Sequence, residues 1–279
     1  MARAPGVFEI SADEYHGDAA LSSSGARRLL APSCPAKFHY ERTNPIEPTS
    51  EMQFGTVVHS ILLGGEDDLA VIDVKTWQSA AAKAAKEEAE LAGKIPVKLA
   101  DYQVAKAMVS VIRSHPLAGP LFRGGQAEQS LFWTDKETGV DLRARPDQMK
   151  LNRRRPLVVD LKTSGSAEPF EFGRSIDDYN YHIQQDFYLA GIRALDLAKE
   201  VDFVFVVVEK KPPYLITVGQ LDAVSAEAGH FYARKAIRLY ADCVAHNDWP
   251  EYGRNPGEPR GLAVLSLPPW AQNEYFRES

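Results

Sequence analysis

The chain has 279 residues, is 44% hydrophobic and carries a formal charge of -6. That length supports one large α/β unit with a sizeable core, and the acidic balance argues against a protein that coats nucleic acid by bulk attraction. No apolar run approaches the roughly 20 residues of a membrane helix, and Met1–Glu9 has no hydrophobic signal segment, so a cytoplasmic protein with no membrane association is expected.

Cys34 and Cys243 lie far apart and outside any CxxC. This excludes a four-cysteine zinc or iron–sulfur site within one chain and leaves two buried free thiols.

In chain order, Ser11 with Glu14 reads as a capping box, and Ser22-Ser23-Ser24-Gly25 starts a short helix that Pro32 and Pro35 close. Phe54, Val57, Val58, Ile61 and Leu62 have helical spacing, with His59 among them and Gly64-Gly65 as the stop. The Ala-, Lys- and Glu-rich stretch Thr76–Lys94 predicts a solvated helix or mobile excursion of low order. Leu99–Ser114 reads as an amphipathic helix ended by His115-Pro116.

Strands are expected over Gln129–Thr134, Val140–Leu151 and Pro156–Thr163 as parts of one sheet. Helices follow at Pro169–Ile176 and Tyr181–Leu195, then apolar strands at Val201–Glu209 and Tyr214–Val218. Such an order predicts an α/β fold with a mixed central sheet flanked by helices. A long helix over Val224–Ala245 precedes a Pro- and Gly-rich tail, Pro250–Ser279, expected to wrap over the domain or a neighbour. The whole chain reads as one domain: a helical part to about residue 125, a core over about 126–220, and a C-terminal helix and tail. No internal repeat is present.

The chemistry concentrates in LRARPDQMKLNRRRPLVVDLK, Leu142–Lys162. The run Leu157–Val159 reads as a buried strand leading into Asp160, and period-two alternation puts Asp160 and Lys162 on one face. Asp147, Asp160 and the Leu161 carbonyl supply hard oxygen ligands for Mg2+, with Mn2+ as a substitute. Lys162 is placed to orient or deprotonate water and to neutralise a developing charge. This pattern suggests a metal-dependent nuclease centre; the plain alternative is an Asp147–Lys162 surface salt bridge.

Arg143, Arg145, Lys150 and Arg153–Arg155 form a basic cluster, read either as a solvated turn or as contacts to a nucleic-acid backbone. Gln184 and Tyr188 stand one helical turn apart on one face. The helix start at Ser24, with Arg27, is a candidate phosphate site or merely a cap. Trp249, Trp270 and Tyr275 are read as tail anchors.

With GTVVH around His59, RPD at Asp147, VDLKT at Asp160–Lys162 and QxxxY at Gln184–Tyr188, the chain resembles the PD-(D/E)XK nuclease superfamily. Within it the chain looks like the exonuclease VIII type of phage and prophage recombination exonucleases, distant relatives of lambda exonuclease. LSSSGARRLLAPSCPAKF and VVEKKPPY also look like that type, and the resemblance runs from about Glu14 into the tail.

The resemblance implies a restriction-endonuclease-like core, metal bound by Asp147, Asp160 and His59, catalytic Lys162 and a steadying Gln184. It further implies a substrate of double-stranded DNA ends cut 5′ to 3′, a 3′ single strand for an annealing partner, and a homo-oligomeric ring with the basic turn facing its channel. Endonuclease or 3′-end activity, and a DNA-binding or assembly protein with little catalysis, stay open alternatives.

Overall fold

The apolar run before Asp160 is the middle strand of the largest sheet in the computed structural model, which describes residues 3–44, 46–262 and 264–278. Met1, Ala2, Ala263 and Ser279, touched by the leader and tail readings, lie outside the described residues.

The elements run β1 (Gly6–Phe8), α1 (Ala12–Gly17), β2 (Leu21–Ser22), α2 (Ser23–Leu29), α3 (Pro35–Thr43), α4 (Ser50–Leu63), β3 (Leu69–Ile72), α5 (Ala80–Leu91), β4 (Ile95–Lys98), α6 (Leu99–Ser114) and α7 (Ala118–Leu121). They continue with β5 (Gln126–Ala127), β6 (Ser130–Thr134), β7 (Asp141–Ala144), β8 (Gln148–Lys150), β9 (Leu157–Ser164), α8 (Pro169–Asp178), α9 (Tyr181–Ala194), β10 (Asp202–Glu209), β11 (Ile216–Gly219), α10 (Ala223–His246) and α11 (Pro269–Glu278).

Local chemistry accounts for most boundaries. The Ser11–Glu14 capping box opens α1, Ser22 accepts from the Gly25 amide to open α2, and Gly64, at φ 98°, closes α4. Pro35 does more than end a helix: it occupies the first turn of α3, where its missing N–H costs nothing. Of the two readings of Thr76–Lys94 the solvated helix is the one found: α5 is mostly exposed, capped by Ser79 and seated by buried Ala82 and Ala89, in place of the low order also expected. Cys34 and Cys243 are buried and free.

The sheet arrangement corrects the single continuous sheet read from sequence. One mixed sheet has the order β11-β10-β9-β8-β5, with β9 and β10 parallel and the other neighbours antiparallel. A second has the order β1-β6-β7-β2, and β3 pairs with β4 alone. The segment Val140–Leu151 therefore supplies two strands to two sheets, broken at Arg145-Pro146-Asp147, where proline has no N–H for a ladder.

Residues of β9 alternate between two cores. Leu157, Val159 and Leu161 join Val57, Ile61, Met108 and Ile112 from α4 and α6. Val158 joins Ile183, Phe187, Phe203 and Phe205 on the α9 side. Two glycines set α9: a Cβ on Gly191 would stand 2.7 Å from the Trp133 ring, and one on Gly229 of α10 would stand 2.3 Å from the His182 carbonyl oxygen. No described helix is long and apolar enough to cross a membrane.

Candidate active site

The β8–β9 ladder ends at Gln148 paired with Val159. Continued one step, its register sets Asp147 abreast of Asp160, but the Asp147 carboxylate, rather than its backbone, takes the next amide: Leu161 N–H donates to Asp147 Oδ2 at 2.6 Å. A strand residue projects its N–H and C=O from the same edge, so the Leu161 carbonyl faces this opening too. From α4, His59 Nδ1 lies 3.4 Å from Asp147 Oδ2. A side chain at Gly55, one turn earlier, would meet Thr163 Oγ1, which places α4 along the end of β9.

On the α9 face Asp160 is 1% exposed. Gln184 Nε2 donates to Asp160 Oδ1 at 2.7 Å and to the Tyr188 hydroxyl at 2.9 Å. Lys162 Nζ forms a close ion pair with Asp160 Oδ2, yet that oxygen accepts no well-aligned hydrogen bond. Lys162 Nζ also sits 4.6 Å from the centroid of the Tyr181 ring. The sequence-predicted Asp147, Asp160, Leu161, Lys162, His59 and Gln184 are thus brought to one place.

Burial drives the Asp160 carboxyl up to about 6; Lys162 opposes this and Asp147 adds to it. Burial also opposes ionisation of Asp147, but His59, Lys162 and the Leu161 amide together hold that carboxyl below its ordinary value. His59 is the converse: burial disfavours its charge, and Asp147 lifts it above the usual imidazole value. Both buried carboxylates are paired, Asp147 with His59 and the Leu161 amide and Asp160 with Lys162 and Gln184, but only at Asp160 do the partners fall short of the cost of burial.

Sequence reading missed Glu128. Continuing the β5–β8 register sets it opposite Asp147, and its N–H donates to the Asp147 carbonyl at 3.2 Å. Its backbone has φ 48°, a conformation uncommon outside glycine. Loss of solvent first, and Asp147 second, raise its carboxyl above the ordinary range. A lone glutamate in a turn has no spacing signature; only the strand register reveals it.

Several predicted contact residues serve the fold instead. Arg143 is buried, lies 4.7 Å from the Tyr15 ring centroid and donates to the His16 carbonyl. Arg145 donates to Ser130 Oγ and to the Ile10 and Ser11 carbonyls. Lys150 donates to the Pro120 and Arg123 carbonyls. Arg153–Arg155 occupy the turn at the opposite end of β9, about 15 Å from Asp160 at ~3.3 Å per residue. The basic segment therefore makes no cationic groove at the carboxylates. Tyr188 is core, against Phe203, and Ser24 Oγ bonds Ser22 Oγ. Arg27 does reach the site: its Nη1 donates to the Tyr179 carbonyl at 2.6 Å, and Asp160, Tyr181 and Tyr188 act on its charge.

Among the described residues no three His, Cys, Asp or Glu side chains converge tightly enough to hold a cation alone. The donor set nonetheless fits a hard divalent ion completed by water or substrate oxygens. It offers two carboxylates and a main-chain carbonyl, and Asp160 Oδ2 is a buried acceptor without a proper hydrogen bond.

A family profile described as a PDDEXK-like domain of unknown function, DUF3799, matches residues 22–255. A solved structure from Eubacterium rectale, provisionally assigned as an exonuclease, shares the fold with TM-score 0.60 at 14% identity, over 96% of this chain and 98% of that one. SSO0001 aligns at 14% identity over 74% and 84% of the two chains, with a TM-score of 0.30 too low to bear on the fold. No curated protein matches the chain.

Proposed function

The chain belongs to the DUF3799 family of PDDEXK-like domains, and from that premise we propose that it is a divalent-metal-dependent exodeoxyribonuclease acting on linear double-stranded DNA. The observation that carries this reading is the Asp160 carboxylate. A carboxylate buried to 1% exposure beside a second acid, whose demand Lys162 and Gln184 only partly meet, is costly in a protein with no use for it.

Asp147, Asp160 and the Leu161 carbonyl would hold Mg2+ or Mn2+, with His59 as a further ligand. The ion, when bound, activates water and takes up charge on the phosphate oxygens. Lys162 orients that water and neutralises the charge that grows as the phosphodiester breaks. Gln184, held between Tyr188 and Asp160, fixes the orientation of the Asp160 carboxylate. Arg27 supplies a cation for the neighbouring phosphate.

Motif resemblance supports the finer features: 5′ to 3′ polarity, 3′ tails passed to a single-strand annealing partner, and a homo-oligomeric ring around DNA. Duplex labelled at the 5′ or 3′ end, incubated with Mg2+ or EDTA, tests the reading. Metal-dependent release of 5′ nucleotides should fall at least ~100-fold in Lys162→Ala. Wild type that leaves linear DNA intact with every metal tried defeats the proposal, 3′ release defeats the polarity, and a monomer in light scattering defeats the ring.

A further inference from the structure

Beside Lys162 the Tyr181 ring lies at a shallow angle to two neighbouring rings. Phe172 and Tyr181 have centroids 5.9 Å apart at 24°, and Tyr179 and Tyr181 are 5.5 Å apart at 26°. Phe172 is buried in the core and Tyr181 half-buried, as packing residues should be, but Tyr179 leaves 59% of its surface to solvent. Tyr179 is therefore the exposed ring beside Tyr181, over which the Lys162 ammonium sits.

The backbone holds it there by specific means. Tyr179 ends α8, and Asn180, at φ 51° and ψ 45°, reverses the chain directly into α9. This left-handed conformation is one asparagine tolerates better than most side chains. Arg27 clamps the Tyr179 carbonyl at 2.6 Å. A fixed, solvent-facing aromatic surface next to a phosphate-directed lysine has the form of a base-stacking platform.

We propose that Tyr179 stacks on the nucleobase of the nucleotide whose phosphate lies at Lys162, so that the site engages a terminal nucleotide unpaired from its complement. The inference rests on the nuclease reading for the identity of its ligand, and on the ring geometry for its place. Stacking is indifferent to base identity but needs a base, and losing an aromatic contact of this kind weakens binding roughly tenfold. The ring face requires a ring, not a hydroxyl.

The test uses oligonucleotides with 2-aminopurine at either end, bound in EDTA so that nothing is cut. Wild type should quench the fluorescence at one end, Tyr179→Ala should lose the quench, and Tyr179→Phe and Tyr179→Trp should keep it. With Mg2+, Tyr179→Ala should lose about tenfold in kcat/KM, carried by KM, on ordinary termini. On a terminus with an abasic nucleotide at that position it should match wild type.

A quench that persists in Tyr179→Ala, or an equal loss on abasic and ordinary termini, overturns the proposal. Wild type that cuts DNA but quenches neither probe overturns it while leaving the nuclease reading intact. If wild type cuts nothing, the nuclease reading falls, and the quench in EDTA still decides whether Tyr179 holds a base.

Discussion

Asp160 beside Lys162 and Asp135 beside Arg234 are both carboxylates held against a cation, and the fold moves them in opposite directions. Burial is the largest influence on each. At Asp135 it is overcome by a two-pronged contact from Arg234 and by the Thr138 amide and hydroxyl, leaving that carboxyl below its ordinary value. At Asp160 one amide and one ammonium do not suffice, Asp147 adds a second negative charge, and the carboxyl rises to about 6. A cluster that serves stability satisfies its charges internally, whereas one poised for a ligand leaves part of the demand open. The wide surface hollow lined by His230, Phe231, Arg234, Lys235 and Arg238 lies beside the satisfied cluster, not the poised one.

Exchanging the defects breaks the comparison most sharply. Asp160→Asn should cut nuclease turnover about a thousandfold or more, because it removes a carboxylate ligand while keeping the shape. Arg234→Ala should leave turnover per folded molecule near wild type but cost about 1–3 kcal/mol, since it strands Asp135, whose side chain is 12% exposed. Urea unfolding and a cleavage assay on each variant check this. Lost activity in Arg234→Ala with unchanged stability would show that the two clusters are not separate.

The next expected effect is on pH dependence in EDTA. Asp160 binds its proton more tightly folded, at about 6, than unfolded, near 3.8. Its contribution to stability is therefore complete below about 3.8 and is lost as pH rises through 6. Asp135 has the opposite sign, its contribution present above the unfolded value and lost as pH falls through its depressed folded value. Asp248, held at about 2 by Arg254, behaves like Asp135. In calorimetry Asp160→Asn should be more stable than wild type at pH 7, by about 1–3 kcal/mol at ~1.4 kcal/mol for each tenfold change in proton affinity, and the gap should close by about pH 4. A gap constant with pH would show that Asp160 does not hold an elevated proton affinity.

The poised half of this comparison was largely legible in the sequence. Three apolar residues before Asp160 specify a buried strand, and strand parity then forces Lys162 onto the same face; His59 and Gln184 come only from the motif resemblance, since helical spacing alone gives neither a role. Less legible was everything set by long-range pairing. Pro146 and the change of phase from Val140, Leu142 and Ala144 to Met149 and Leu151 do mark a break within Val140–Leu151, but only the pairing of β7 with β2 and of β8 with β9 shows that its halves join different sheets. Arg143 and Arg145 look like free cations until Tyr15 and the carbonyls of Ile10, Ser11 and His16 close on them from more than a hundred residues upstream. Glu128 and Asp135 are ordinary turn acids until register and α10 give them neighbours.

The smallest expected effect asks which partner makes Asp135 the satisfied carboxylate. Thr138 Oγ1 donates to Asp135 Oδ2 at 2.7 Å, and the Thr138 amide donates to the same oxygen at 3.0 Å. Thr138→Val removes the hydroxyl, keeps the amide and nearly preserves volume, so about 1 kcal/mol of stability should go. The Asp135 carboxyl, followed by carbon NMR, should titrate higher than in wild type yet stay below Asp160, because Arg234 still grips both oxygens. If Asp135 does not move, the arginine fork alone holds it down. If it rises to meet Asp160, the local turn does the work, and the contrast between the two clusters lies in neutral donors rather than in the cation.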